Sequence, residues 1–230
     1  RSVRKICDCA EAKGFPAGTR GETDPDLDHG TMVPLYYVRQ QYHDFQLIRL
    51  GLSGLSLPDH YAFGQIIRRT VDGLDRRVVY IASGDLSHKL QEYGPYGYVP
   101  EGPEYDERIM DVMGRAAFGE LLDFDITCCD SAAECGHRSF VIMGGAFDGT
   151  AVKAERLVHQ DVKGVGYGIC TFYPEDADKS RHFLEVKMAE IEEELKSKRE
   201  QSDEYVRLAR EAVEAYVLKR EVLDIPAGLP

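Results

Sequence analysis

Two hydrophobic periodicities divide this chain. Residues 45–50 (FQLIRL) and 78–82 (VVYIA) are short apolar runs rich in β-formers and closed by Gly or Ser, the pattern of strands buried in a sheet. Between them, residues 57–72 open on Leu-Pro-Asp and carry Tyr61, Phe63, Ile66, Ile67 and Val71, which predicts a helix after a turn. Strand, helix, strand predicts a parallel or mixed α/β sheet. Residues 32–38 (MVPLYYV) fit either a further strand or a short helix.

Further along, residues 93–103 (YGPYGYVPEGP) are too rich in Gly and Pro for regular structure and read as a loop. Residues 106–122 place Ile109, Val112, Met113, Ala116, Ala117 and Leu121 on one helical side. The apolar run within 134–147 favours a buried helix over a strand. Residues 165–173 (VGYGICTFY) read as a strand whose glycines permit close backbone approach. From Lys179 the composition changes: residues 183–200 are charged and glycine-free, with Leu184, Met188, Ile191 and Leu195 forming an amphipathic stripe. That stripe is most simply a packing face. Ser202 is a plausible N-cap for a second helix through Val217, so a domain boundary is expected near Gln201.

Charge narrows the partners. Forty acidic against 28 basic residues leave a net charge of −12, which disfavours nucleic acid and anionic membrane surfaces. No apolar run reaches the roughly 20 residues that span a bilayer, and no secretory pattern opens the chain, so a cytoplasmic protein is expected. The six cysteines lack the spacing of a disulfide framework and read as reduced thiols. The chain opens on Arg1 and closes in an apparent loop, as a fragment of a longer protein would.

Three glycine-punctuated sites carry candidate chemistry: Asp28-His29-Gly30, Ser87-His88, and Glu134-Cys135-Gly136-His137. His88 follows an apolar run, where an imidazole can be fixed by backbone and still face a cleft; a side chain that can take and return a proton near neutral pH suits a general base. The alternative is a loop histidine bonded to backbone. Glu134 beside an apolar helix would need a metal, a substrate cation or an arginine such as Arg138, unless it simply caps free N–H groups at the helix start. Cys128, Cys129, Cys135 and His137 lack the separated pairs of a structural zinc site. Residues 164–168 (GVGYG) lack a full dinucleotide fingerprint and fit core packing better, and residues 51–55 (GLSGL) fit a turn.

These segments together resemble the LigB-type superfamily of class III extradiol ring-cleavage dioxygenases and its Memo-like relatives, closest to the AmmeMemoRadiSam-associated branch. The resemblance rests on LDHGTMVPLYY (27–37), SGLSLPDHY (53–61), IASGDLSHKL (81–90), GPYGY (94–98), AAECGHRSF (132–140) and GVGYG (164–168), in the family's order. Residues 204–220 (EYVRLAREAVEAYVLKR) resemble the opening helix of an AMMECR-type domain. The resemblance implies an α/β fold with a mixed or parallel central sheet flanked by helices, plus C-terminal helices. Residues 1–178 would be the C-terminal portion of the dioxygenase-like domain, 179–200 a helical linker and 201–230 the start of the AMMECR-like domain.

For function, the resemblance implies an oxidoreductase of the extradiol class, using non-haem Fe(II) and O₂ on a small catecholic substrate. It assigns His88 as the histidine that deprotonates the substrate hydroxyl, His29 as a second active-site histidine, and Glu134 as a metal ligand. The two partner histidines of the metal are expected in family motifs upstream of Arg1, and His43, His60, His137, His159 and His182 do not sit in those missing motifs. This fragment is therefore expected to retain Fe(II) poorly and to lack ring-cleaving activity. The rival implied function is a Memo-like redox or binding protein, beside a radical-SAM or AMMECR-type partner; a scaffold without catalysis is the third.

Overall fold

The computed structural model describes residues 2–18 and 26–223 and divides the chain into two compact units, 1–187 and 188–230. Arg1 and residues 224–230, which the expected fragment ends and AMMECR-like segment include, lie outside the described residues. No helix among the described residues is long and apolar enough to cross a membrane.

The first unit is built on a pair of helices that glycine allows to touch backbone to backbone. Helix α1 (Ser2–Glu11) packs on α3 (Leu57–Asp72), which is started by a capping box between Ser56 and Asp59. Helix α3 crosses α6 (His137–Ala146) where a Cβ on Gly64 would overlap the Ile142 carbonyl and one on Gly145 would overlap that of Tyr61. Around this crossing lie α4 (Glu101–Gly114), a 3-10 turn (Phe118–Asp123) and α5 (Ile126–Ala132). Tyr61, Tyr105, Ile109, Phe118, Leu121 and Val141 are fully buried at the centre. Helix α2 (His29–Arg39), N-capped by Asp28, has no buried residue. The open choice for residues 32–38 thus falls to helix.

One antiparallel hairpin, β1 (Thr150–Val162) and β2 (Val165–Ala177), closes the core. Its two-residue turn has positive φ at Lys163 and Gly164, the mirror-image geometry that suits strand twist. Strand β1 escaped the sequence reading. This hairpin is also where the sheet differs from expectation. The chain is mixed α/β, but its sheet among the described residues has two antiparallel strands, and residues 45–50 and 78–82, expected as strands, lie outside any helix or strand. Phe45, Leu47, Val78, Val79 and Ile81 are correspondingly exposed. Apolar β-rich sequence favours a strand, but a sheet also needs a neighbour to receive the N–H and C=O groups.

The expected helix over residues 106–122 is also divided: α4 starts earlier, at Glu101, and ends at Gly114, and Ala116 takes φ 50° before the 3-10 turn. The run within 134–147 is the buried helix α6. Asp148 ties the far end of this unit together, accepting from Tyr61 Oη at 2.9 Å, Gln65 Nε2 at 3.0 Å and Phe183 N at 3.0 Å.

Helix α7 (Phe183–Glu200) has the bounds its stripe predicts, and the division between units falls within it. In the second unit Asp203, one residue after the expected Ser202, caps α8 (Glu204–Glu214) by accepting from Val206 N at 2.8 Å. A wider turn, Ala215–Lys219, ends the helix.

Candidate functional site

The two glycine-bearing motifs, some fifty residues apart, meet back to back. A Cβ on Gly84 would overlap the Gly136 Cα, so only hydrogen at this position lets the two loops touch. Cys135 N then donates to the Asp85 carbonyl at 3.3 Å, and Asp85 N donates to Cys135 Sγ at 3.1 Å.

Residues 86–90 run beside the start of β2: Leu86 N donates to the Gly166 carbonyl at 2.9 Å, Gly166 N to the Ser87 carbonyl at 2.7 Å, and Leu90 N to the Gly164 carbonyl at 3.0 Å. The approach needs the glycines of that strand, because a Cβ on Gly166 would overlap Asp106 Oδ2 and one on Gly168 would overlap Met110. The expected role of residues 164–168 in close packing is the observed one.

His88 is mostly buried and gripped on three sides. Its N–H donates to the Ala132 carbonyl at 3.1 Å, and its Nδ1 bonds the carbonyl of Ala133. A carbonyl only accepts, so Nδ1 carries the proton and Nε2 is the ring's working atom. Nε2 lies 3.2 Å from Asp85 Oδ2, and the ring rests 5.1 Å from the ring centre of Tyr96. Ala133 has φ 55° as the last cap of α5, a left-handed backbone costing a non-glycine residue roughly 1–2 kcal/mol. That strained turn aims its carbonyl at the imidazole.

Beneath the loop, Asp106 is 2% exposed. Its Oδ1 accepts from Ser87 N at 2.8 Å and its Oδ2 faces His159 Nε2 at 2.9 Å. Burial raises the Asp106 pKa, while His159 and the Ser87 N–H oppose the rise. A cleft of about 490 Å³ opens above this pair, lined also by Gln91, Glu107, Arg156 and Asp161. Asp106 is a positioning residue for the His88 loop, one that a helical position in the sequence does not reveal.

Glu134 Oε2 accepts from His137 N at 2.5 Å, at the free N-terminus of α6. Burial raises its pKa against the lowering effect of the His137 and Gly136 N–H groups and of Arg138. Capping is thus one role that Glu134 fills in this fold. It also lines a cleft of about 410 Å³ with Leu52, Ser53, Gly54, Cys135 and Arg138. Arg138 Nε is buried there without a hydrogen-bond partner among the described residues. The residues 51–55 form an irregular turn, as expected, and serve as one wall of this cleft.

His137 belongs to the core. Its Nε2 donates to the Leu121 carbonyl at 3.0 Å, its Nδ1 faces Tyr105 Oη at 3.3 Å, and burial lowers its pKa to about 4. His60 is likewise buried, with Nδ1 on the Ser56 carbonyl at 2.9 Å. His29, the first residue of α2, is exposed and makes no hydrogen bond to His88 or Glu134. Its helix start does lie near the His88 loop: a Cβ on Gly30 would stand 3.9 Å from Ser83 Oγ.

All six cysteines are free thiols. Cys128 and Cys129 sit on α5 and do not join Cys135 and His137 in a metal-binding group. Among the described residues a single cluster could hold a metal: Asp85, His88 and Cys135, whose donor atoms all lie within 4.8 Å of one another. Asp85 and Cys135 stand inside the two motifs, at His88 − 3 and Glu134 + 1, and Cys135 joins Asp85 and His88 rather than Cys128, Cys129 and His137. Their role depends on the loop contact.

The family model described as the catalytic LigB subunit of aromatic ring-opening dioxygenase matches residues 3–170. The chain belongs to the LigB family. A similar protein is Protein CA_C1420 of Clostridium acetobutylicum, 34% identical over 200 residues, which cover 86% of this chain and 42% of that protein. The chain therefore spans less than half the length of that curated relative. LigB proteins generally use non-haem Fe(II), and the described residues do not fit the site such iron takes. A ferrous facial triad needs two histidines and a carboxylate on one side of the metal; the cluster here has one histidine, one carboxylate and one thiol.

Proposed function

We propose that this LigB chain supplies the acid–base and substrate-positioning part of an extradiol-type ring-opening dioxygenase acting on a small catecholic substrate with O₂. The observation that carries the reading is His88: its Nδ1 is held by Ala133, and its Nε2 is turned to Asp85 beside the Glu134–Arg138 cleft. In this reading His88 Nε2 takes the proton of a catechol hydroxyl, Asp85 stabilises the imidazolium formed, and the positive charge of Arg138 on the cleft wall offsets that of the resulting oxyanion. His29, from the neighbouring start of α2, is the second histidine facing the substrate. Ferrous iron belongs to the reading only for the whole protein, with Glu134 as one ligand and two histidines from outside these residues.

The finer architecture belongs to the same proposal. Residues 45–50 and 78–82 are strands of a mixed central sheet in the whole protein, and residues 201–230 begin an AMMECR-like domain after the helical linker 179–200. A cytoplasmic location and a radical-SAM or AMMECR-type partner complete it.

The test is catechol-dependent O₂ uptake, with appearance of a ring-opened product, by the full-length iron-loaded protein. His88→Gln is expected to lower the turnover by about 10²- to 10⁴-fold with little change in KM. Unchanged turnover would remove His88 from the chemistry. Cys135 favours a second reading: a thiol beside the candidate base has no place in ring cleavage and suits a Memo-like redox or binding protein. Absence of ring cleavage across catechols, with the protein folded and iron-loaded, would select it.

A further inference from the structure

We propose that Asp85, His88 and Cys135 form a zinc site, distinct in its donors from a ferrous facial triad. Three observations converge on it. The donor atoms Asp85 Oδ2, His88 Nε2 and Cys135 Sγ cluster within 4.8 Å, and the Asp85–His88 separation is 3.2 Å. Bonds of about 2.0 Å to a tetrahedral ion put neighbouring O and N ligands about 3.3 Å apart, so this edge is already at its ligated length. Cys135 lies on an exposed turn, with its sulfur within 4.8 Å of both other donors.

The second observation is what faces what. With Nδ1 bonded to the Ala133 carbonyl, Nε2 is the ring atom turned toward the Asp85 carboxylate. A ring nitrogen and a carboxylate oxygen at this distance form one edge of a cation site. A metal ion supplies the cation, and the Ala133 carbonyl is then the outer partner that fixes the ligating imidazole. Cys135 Sγ accepts from Asp85 N at 3.1 Å, which holds the sulfur against the Asp85 loop.

The third is rigidity. The Gly84–Gly136 contact and the Cys135 N to Asp85 carbonyl bond hold the two ligand-bearing loops together without the ion. One sulfur, one imidazole nitrogen and one carboxylate oxygen suit zinc over calcium or magnesium, and three protein ligands leave a fourth position open toward solvent or a ligand. Zinc at this place occupies the Nε2 atom that the proposed function gives to proton transfer. Binding would therefore inhibit; this consequence rests on His88 being the base, whereas the binding itself does not.

The experiment is titration of the full-length protein with Zn(II) against a chromophoric chelator, paired with Co(II) substitution followed by absorption spectroscopy. One equivalent of zinc is expected, and the Co(II) form should show a thiolate-to-cobalt charge-transfer band. Cys135→Ser should abolish the band, and Cys135→Ser and Asp85→Asn should each weaken zinc binding by more than about 100-fold, the upper end of what losing even an outer-shell partner costs. Cys128→Ser should change neither. Circular dichroism of the metal-free variants separates ligand loss from unfolding. A folded wild type that binds no zinc overturns the proposal. So does a charge-transfer band that survives both Asp85→Asn and His88→Gln, because the thiolate then serves another site. Failure of zinc binding with His88-dependent ring cleavage intact would sink this inference alone.

Discussion

Among the seven histidines, packing separates two whose local sequence is alike. His88 and His137 both follow a glycine-containing motif, yet His88 keeps Nε2 toward a carboxylate while His137 is sealed against Leu121, Tyr105 and Phe124. For His137 the consequence is a pH dependence with a definite sign. The unfolded ring protonates near pH 6.5 and the folded ring only at about 4, so between these values the unfolded state binds more protons. Stability from this residue is present above pH 6.5 and falls as pH is lowered through the window, by up to about 3 kcal/mol. Asp106 and Glu134, whose pKa values are raised by burial, act in the opposite sense at the acid end. Denaturant midpoints between pH 7 and 4.5 should fall for the wild type and fall less steeply for His137→Asn; parallel profiles would contradict the assignment. Asp106→Ala should cost about 3 kcal/mol by stranding Ser87 N–H and His159. The same unfolding measurement checks it, and a loss below about 0.5 kcal/mol would deny Asp106 its positioning role.

At the scale of elements, the site is a junction of two loops and a strand edge. Residues 84–85 meet 135–136 because Gly84 and Gly136 carry no Cβ, and residues 86–90 run beside 164–166, where Gly166 leaves room for Asp106. Gly84→Ala places a methyl group on backbone atoms that cannot rotate away. It should therefore spread the loops, lower stability by about 1–3 kcal/mol and release the Asp85–His88–Cys135 cluster. Stability equal to wild type with the zinc affinity retained would contradict that geometry. The helices were legible because each had its own periodicity and cap: α3 with its Ser56–Asp59 box, and α7 with its 183–200 stripe. Strand β1 was not, since TAVKAERLVHQDV mixes charges with apolar residues and gains its register only from β2. The Lys163-Gly164 turn was the available local signal.

For the molecule as a whole, the two runs at 45–50 and 78–82 are its least satisfied parts. They have strand sequence, with exposed Leu47, Val79 and Ile81 and no sheet pairing among the described residues. Their amides should exchange with solvent rapidly in this 230-residue chain, while those at the α3–α6 crossing exchange orders of magnitude more slowly. Hydrogen exchange read by mass spectrometry checks this, and equal protection of both regions would contradict it. In the longer protein, slow exchange at 45–50 and 78–82 would support their proposed place in a central sheet.

The sequence by itself determined the helices, the glycines at close approaches and the LigB family, because each is written in local spacing or in motifs a few residues long. It also marked His88 and Glu134 as chemical residues. Only the tertiary structure decided that Glu134 caps α6, that His137 is a neutral core residue, and that Asp85 and Cys135 stand beside His88. Those outcomes depend on which polar groups face one another across some fifty residues of chain. Burial and the overlap-free contact of Gly84 with Gly136 fix that pairing, and no local pattern encodes it.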